Sequence, residues 1–283
     1  MEKFFKRTRQ LWDDFRPDMI YFDDSVLPFH GVTDQIGLTL AAHFYNSSIK
    51  LHGRNEAVMN AKMLEDMHRR ALVYDIERGK ADAVMPQAWQ TDTCIGSWHY
   101  DREIFVNHRY KSAASVVRML ADIVSKNGNL MLSVPLQRDG TPDTDEIEIV
   151  KGIGAWLKVN GEAIYATRPW KVYGEGPSTV KIDKGQFGGQ TDVQKAPFTS
   201  EDIRFTQSKD GATLYAIVLE IPAGGTVTVK SLGTGSPHWT GGIRSVRLVG
   251  GTDLTFTRDH IGLHVTLPAP MTEKIAVALK IRS

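Results

Sequence analysis

The sequence lacks the features that mark several classes of protein. Its 283 residues include one cysteine, Cys94, which excludes an intrachain disulfide and a cysteine-rich zinc site. The formal net charge is +1, so no basic field favours nucleic acid or an anionic membrane as a partner. No apolar run approaches the roughly 18 residues that span a bilayer. What remains, 41% hydrophobic and 24% charged, is the composition of a globular protein.

The motifs of common metal and cofactor sites are missing as well. The nine histidines form no His-Glu-x-x-His pair, and His99 and His108 are too far apart to ligate a metal from adjacent helical turns. Neither of the glycine-rich phosphate-binding patterns occurs. The first residues lack the apolar core of a secretory signal and predict an amphipathic helix. We therefore expect chemistry that requires neither a metal nor a cofactor.

Helix and strand patterns alternate through the first 160 residues. Apolar positions with helical spacing predict helices over residues 2–16, 34–47, 112–125 and 144–159. Short apolar runs predict strands at residues 19–22, 56–60 and 129–134. This alternation favours parallel βαβ units.

Beyond about residue 170 the pattern changes to short alternating strands separated by Gly, Pro and Asp turns. These strands are predicted at residues 213–221, 226–231, 245–249, 263–267 and 274–281. The spacing is typical of an antiparallel β-sandwich. We predict two domains, a partial (β/α)-barrel catalytic domain over residues 1–172 and a β-sandwich domain over residues 173–283, with a linker near 174–177.

Two carboxylates are candidates for catalysis. The apolar run 19–22 ends at Asp23, and parallel α/β barrels present catalytic side chains at such strand ends. Asp23 is therefore a candidate nucleophile, and a turn or helix N-cap is its alternative role. Glu77, in a Glu-Arg-Gly loop, is the candidate acid/base, and a solvated ion pair with Arg78 is its alternative. A retaining glycosidase uses two carboxyl groups about 5–5.5 Å apart, one as the nucleophile and one as the acid/base.

Residues 85–100 are rich in side chains that suit a sugar. Aromatic faces can stack on the apolar face of a sugar ring, while carboxylate and imidazole groups bond its hydroxyls. The candidate sugar contacts are Trp89, Asp92, Trp98, His99 and Tyr100. The alternative for each tryptophan is a place in the core. His30 could also reach the site from the loop after Asp23, and an ordinary surface histidine is its alternative.

Five segments in this order resemble glycoside hydrolase family 29, the retaining α-L-fucosidases. Tyr-Phe-Asp-Asp at 21–24 resembles the nucleophile strand, and residues 89–100 are similar to the family's Trp-Glu-Thr…Trp-Gly-Tyr segment. Residues 126–140 resemble its Gly-Gly-Asn…Asp-Gly strand, 156–170 the exit of the barrel, and 201–217 the terminal sandwich. The resemblance implies a (β/α)8-type (TIM-like) barrel followed by a β-sandwich. It also implies a fucosylated oligosaccharide or glycoconjugate as the substrate and no cofactor.

The resemblance assigns roles residue by residue. Asp23 matches the nucleophile, which would form a covalent glycosyl-enzyme that water resolves with retention. Many members carry a glutamate after the tryptophan of the aromatic segment, but this chain has Gln90, which cannot supply a proton. Some relatives with a Trp-Gln-Thr-Asp segment draw the acid/base from the preceding Glu-Arg-Gly loop, which points to Glu77. Asp92 is the reserve candidate.

The chain also departs from the family at its start. The family barrel has three strands before the nucleophile strand, whereas this sequence begins on the helix before strand four. A half-barrel exposes strand edges and core that must be covered. The chain could be a fragment, a short form that dimerises to close an eight-stranded barrel from four strands per copy, or a smaller closed layer. We expect a homo-oligomer that covers the incomplete barrel.

Two other functions stay open at this point. One is a truncated, non-catalytic fucose-binding or structural remnant, which Gln90 and the missing strands favour. The other is a glycosidase that acts on another sugar, such as galactose. The linkage preference and the compartment are also open, since family members are often exported or lysosomal.

Overall fold

Five parallel strands, in chain order, form the first sheet. The computed structural model describes residues 2–23, 35–178, 197–271 and 273–283. Each strand of this sheet pairs in parallel with the next, which makes a half-barrel. The strands are β1 (Met19–Phe22), β2 (Val58–Ala61), β3 (Val73–Asp75), β4 (Trp89–Cys94) and β5 (Gly128–Ser133). The predicted parallel βαβ architecture is confirmed.

Helices connect and cover these strands. They are α1 (Glu2–Phe15), α2 (Gln35–His52), α3 (Arg102–Val106), α4 (Ala113–Ser125) and α5 (Thr144–Asn160). The start of α5 is fixed by a capping box, in which the Asp143 side chain accepts from the backbone N–H of Glu146 and the Glu146 side chain accepts from that of Asp143. The α2 helix runs past its predicted end because Leu40, Phe44 and Ser48 continue one buried face. Among the described helices, none has the length and apolarity to cross a membrane.

The remaining strands form two antiparallel sheets. One has five strands in the order β10-β13-β8-β7-β6, and the other has three in the order β11-β12-β9. The strands are β6 (Thr167–Glu175), β7 (Ile203–Ser208), β8 (Leu214–Val218), β9 (Thr226–Val229), β10 (Ser245–Leu248), β11 (Phe256–Arg258), β12 (Leu263–Thr266) and β13 (Val277–Arg282). One hydrophobic core joins the sheets, with Phe205 and Leu279 from the first and Val227 and Val265 from the second. This arrangement confirms the predicted antiparallel β-sandwich.

Helices α4 and α5 join the half-barrel to the sandwich. Val117 and Trp156 share a buried cluster with Tyr215 and Ile217 of β8. The Trp156 indole also donates to the carbonyl of Ala276 at 2.8 Å. Strand β6 begins at Thr167 and pairs with β7, so the predicted division after residue 172 falls inside a strand of the sandwich.

Two strands of the half-barrel escaped prediction. Strand β4 is buried at all six positions, so its sequence shows no alternation between apolar and polar residues. Strand β3 is only three residues long. Within the described residues the half-barrel has five strands, one more than the four per copy of the alternative in which a dimer closes an eight-stranded barrel. Whether the chain forms a homo-oligomer stays a prediction.

Candidate active site

The C-terminal ends of four neighbouring strands bring charged side chains around one lysine. The Lys62 ammonium lies 2.8 Å from Asp23 Oδ1, 2.8 Å from Glu77 Oε2 and 3.1 Å from Asp92 Oδ2. Lys62 follows β2, Asp23 follows β1, Glu77 follows β3, and Asp92 belongs to β4. We call these four residues the Lys62 cluster. The structure thus brings together three of the side chains that the sequence singled out.

The four side chains differ sharply in exposure. The Asp23 side chain is 84% exposed and that of Glu77 is 26% exposed, whereas those of Asp92 and Lys62 are each 6% exposed. Asp23 and Glu77 therefore face solvent, where a ligand can reach them. Asp92 and Lys62 form the wall behind them.

The surroundings of Lys62 favour its charged, protonated form. Burial disfavours the ammonium, but hydrogen bonds from it to Asp23, Glu77 and Asp92 outweigh that cost and raise the pKa of Lys62 above its ordinary value. An ammonium has three N–H donors, and three carboxylates surround this one. Lys62 is therefore a cation at any pH at which the protein would work.

A second layer of polar side chains lies one step earlier on the same four strands. Its members are Tyr21, Asn60, Asp75 and Gln90, each two residues before a member of the Lys62 cluster. The Tyr21 hydroxyl donates to Asp75 Oδ2 at 2.7 Å and lies 3.4 Å from Asp92 Oδ2. Gln90 donates to Asp75 Oδ1 at 3.2 Å and accepts from Asn60 at 3.0 Å. We call these four residues the lower layer.

The lower layer perturbs the acidity of its carboxyl group. Burial, reinforced by the nearby charge of Asp92, raises the pKa of Asp75 to about 7 against the opposing hydrogen bonds from Tyr21 and Gln90. Burial, together with the bond to Asp75, raises the pKa of the Tyr21 hydroxyl far above its ordinary value. Two acceptor atoms, Asn60 Oδ1 and Asp92 Oδ1, are buried without a hydrogen-bond partner among the described residues.

The predicted aromatic contacts lie in different places. Trp89 opens β4, is 1% exposed and donates from its indole to the Lys126 carbonyl at 2.9 Å, so the structure places it in the core. Trp98, His99 and Tyr100 lie in the loop after β4, where His99 and Trp98 are exposed. His30 lies outside the described residues.

Tyr100 lies close to the start of α5. Burial and the neighbouring carboxylates of Asp143 and Glu146 raise the pKa of its hydroxyl. Within the described part of the chain, no group of His, Cys, Asp and Glu side chains could hold a metal ion.

Sequence reasoning missed Lys62 and most of the lower layer. The predicted second strand ended at residue 60, before Lys62, and the third strand was not predicted at all. The signal that could have found them is the two-residue spacing between the two layers. Side chains two residues apart on a strand share a face of the sheet, and one face of a parallel barrel points inward. Applied to all four strand ends, this rule selects both layers.

The fold and the site place the chain in a class of protein architecture. In this class a parallel barrel sheet carries its polar groups at the C-terminal ends of its strands and is joined to a β-sandwich. A family model described as alpha-L-fucosidase matches residues 1–162, and one described as alpha-L-fucosidase C-terminal domain matches residues 194–282. This chain belongs to the alpha-L-fucosidase family.

Individual proteins agree with this assignment. Human plasma alpha-L-fucosidase is 30% identical over 189 residues, which is 65% of this chain and 34% of the human protein. A solved alpha-L-fucosidase structure is 25% identical with a TM-score of 0.74, covering 100% of this chain and 56% of that one. The Thermotoga maritima alpha-fucosidase structure is 26% identical with a TM-score of 0.70, covering 99% and 56%. The match thus spans about a third of the human protein and about half of the solved chains.

Proposed function

We propose that the Lys62 cluster is the catalytic site of a retaining exo-α-L-fucosidase, with Asp23 as the nucleophile and Glu77 as the acid/base. Membership of the family supports the reaction class. One structural neighbour, a Thermotoga maritima alpha-L-fucosynthase, is in complex with alpha-L-Fuc-(1-2)-beta-L-Fuc-N3, which supports a fucosylated substrate. Water is the only other reactant that the proposed chemistry requires.

The observation that carries the proposal is the shared contact with Lys62. Asp23 Oδ1 and Glu77 Oε2 each lie 2.8 Å from the same nitrogen, so the two oxygens are no more than twice that distance apart. Retaining glycosidases separate their carboxyl groups by about 5–5.5 Å, and inverting enzymes by about 6.5–9.5 Å. The limit that Lys62 sets for these two oxygens is compatible with the range of retaining enzymes.

The proposed reaction has two displacements at the anomeric carbon. In the first, Asp23 attacks this carbon while Glu77 gives its proton to the glycosidic oxygen, which leaves with the bonding electron pair. In the second, Glu77 takes a proton from water, and the water oxygen displaces Asp23. Two inversions restore the original configuration. The solvent-facing positions of Asp23 and Glu77 suit both steps.

One observation favours the alternative of a fucose-binding remnant. Asp23 is 84% exposed, and within the described residues β1 and β5 are the free edges of the half-barrel. A nucleophile in an open site lacks the dry surroundings that strengthen electrostatic stabilisation. In this alternative, Asp23 would accept a hydrogen bond from a fucose hydroxyl without reacting. A homo-oligomer that covers these edges stays a prediction.

Hydrolysis of 4-nitrophenyl α-L-fucoside separates the two functions. We expect release of nitrophenol by the wild type and at least a thousandfold less by Asp23→Asn, with both variants folded by circular dichroism. Glu77→Gln should retain more activity on this substrate than on an unactivated fucoside, because nitrophenolate leaves with little help from an acid. Fucose binding without turnover would instead establish the remnant, and turnover that survives Asp23→Asn would overturn the nucleophile assignment.

A further inference from the structure

Lys62 contacts every other member of its cluster. Its ammonium contacts carboxylates that come from three separate strand ends, β1, β3 and β4. Without a cation between them, Asp23 and Glu77 would repel each other whenever both are ionised. A single side chain thus fixes the relative position of the two groups assigned to the chemistry.

Asp92 anchors the Lys62 ammonium in a fixed position. It is buried in β4, and Tyr21 approaches the same oxygen, Oδ2, that contacts Lys62. Tyr21 is in turn bonded to Asp75, which Gln90 holds from the other side. The lower layer therefore supports Asp92, and Asp92 supports Lys62. This burial makes Asp92 a poor candidate for direct contact with a sugar.

The contacts with Lys62 also use specific oxygens. Lys62 binds Oδ1 of Asp23 and Oε2 of Glu77. The second oxygen of each carboxylate is then the one that can react, Oδ2 of Asp23 by attacking carbon and Oε1 of Glu77 by carrying the proton. An anchored ammonium can orient both groups in this way because a charged hydrogen bond is short and directional.

We propose that Lys62 is a positioning residue that, anchored on Asp92, holds Asp23 and Glu77 at their reactive separation and turns one oxygen of each toward the substrate. This inference rests on the proposed function. It makes Lys62 a residue that acts through the two carboxylates, so its loss impairs the chemical steps more than it impairs substrate binding.

The test compares Lys62→Met with Lys62→Arg and with the control Lys111→Met. Lys111 is a half-buried lysine near the C-terminal end of β4, where its ammonium donates to the Thr93 hydroxyl and to the Cys94 carbonyl. In Lys62→Met we expect kcat to fall about a hundredfold, as misplacement by about 1 Å does, while KM changes by less than about threefold. Lys62→Arg should recover part of kcat, since it restores the cation with a different shape.

The dependence on the leaving group gives a second readout. Because both carboxylates lose their position, Lys62→Met should lose about tenfold more kcat/KM on a fucosyl disaccharide than on 4-nitrophenyl α-L-fucoside. Asp92→Asn should show a smaller defect that is not additive with Lys62→Met, since both act on one arrangement. A rise in KM at constant kcat would show that Lys62 binds substrate and would overturn the proposal. So would an equal loss on both substrates.

A crystallographic readout does not depend on turnover. The distance between the Asp23 and Glu77 carboxyl groups should increase in crystals of Lys62→Met and stay near the wild-type value in Lys111→Met. An unchanged distance would refute the positioning role, whatever the kinetics. If the wild type is inert but the distance increases in Lys62→Met, the proposed function fails while the hold of Lys62 on both carboxylates stands.

Discussion

Asp122 lies at the centre of a buried charge network that joins the half-barrel to the sandwich. It belongs to α4, and its carboxylate accepts from Lys126 at 2.9 Å and from Arg204 of β7 at 2.6 Å. All three side chains are at most 3% exposed. Burial favours protonation of Asp122, but the charges of Lys126 and Arg204 outweigh it and lower the pKa of this carboxyl group. Asp122 is thus the counter-ion of two buried cations, Lys126 and Arg204.

Replacing Asp122 with Asn should destabilise the protein strongly. The amide keeps the shape of the side chain but leaves the charges of Lys126 and Arg204 buried without their counter-ion. Breaking a buried pair by removing one partner costs about 3–5 kcal/mol. At about 2–4 °C per kcal/mol for large domains, the melting temperature should fall by roughly 6–20 °C.

The chain offers a matched control at its surface. Asp253 forms an ion pair with Arg247 at 3.9 Å, with side chains 81% and 56% exposed. Exposed pairs contribute about 0–1 kcal/mol, so Asp253→Asn should change the free energy of unfolding little. Both variants are compared by urea denaturation, followed by fluorescence and circular dichroism. A loss in Asp122→Asn no larger than that in Asp253→Asn would refute the argument that this network stabilises the junction.

Two further predictions concern Trp89 and the lower layer. Trp89→Phe should lower the free energy of unfolding by about 1–3 kcal/mol, because it removes the indole bond to the Lys126 carbonyl and opens space in the core. It should leave KM for a fucoside unchanged, whereas a raised KM in the folded variant would restore Trp89 as a sugar contact. Asp75 has a pKa near 7 when folded against an ordinary 3.8, so the folded state keeps a proton that the unfolded chain loses, and stability should fall as pH rises from about 4 to 7. Asp75→Asn should remove that part of the fall in denaturation curves taken across this pH window, and wild-type and variant curves that stay parallel would contradict the shift.

Much of the fold could be predicted from periodicity and turn residues. The helix over residues 144–159 and the strand at 19–22 emerge because their apolar spacing and their end signals agree. Strand β4 could not be found in this way, because burial on both faces removes the alternation on which the method depends.

The site was predictable only where one residue suffices. Asp23 could be singled out because an acidic residue directly follows a short apolar strand. Lys62 could not, because its role arises from contacts with residues 39, 15 and 30 positions away along the chain. Trp89 shows the opposite failure: an aromatic residue in a polar segment suggested a ligand contact, but its place at the start of β4 puts it in the core.

The stereochemistry of hydrolysis tests the central claim most directly. Proton NMR during hydrolysis of 4-nitrophenyl α-L-fucoside identifies the first anomer of fucose that is released, before mutarotation mixes the two. Because Asp23 and Glu77 share a contact with Lys62, as expected of the closely spaced carboxyl groups of a retaining enzyme, we expect α-L-fucose first, and none from Asp23→Asn. Release of β-L-fucose first would contradict the account, since it would require a water molecule to attack from the place that we assign to Asp23.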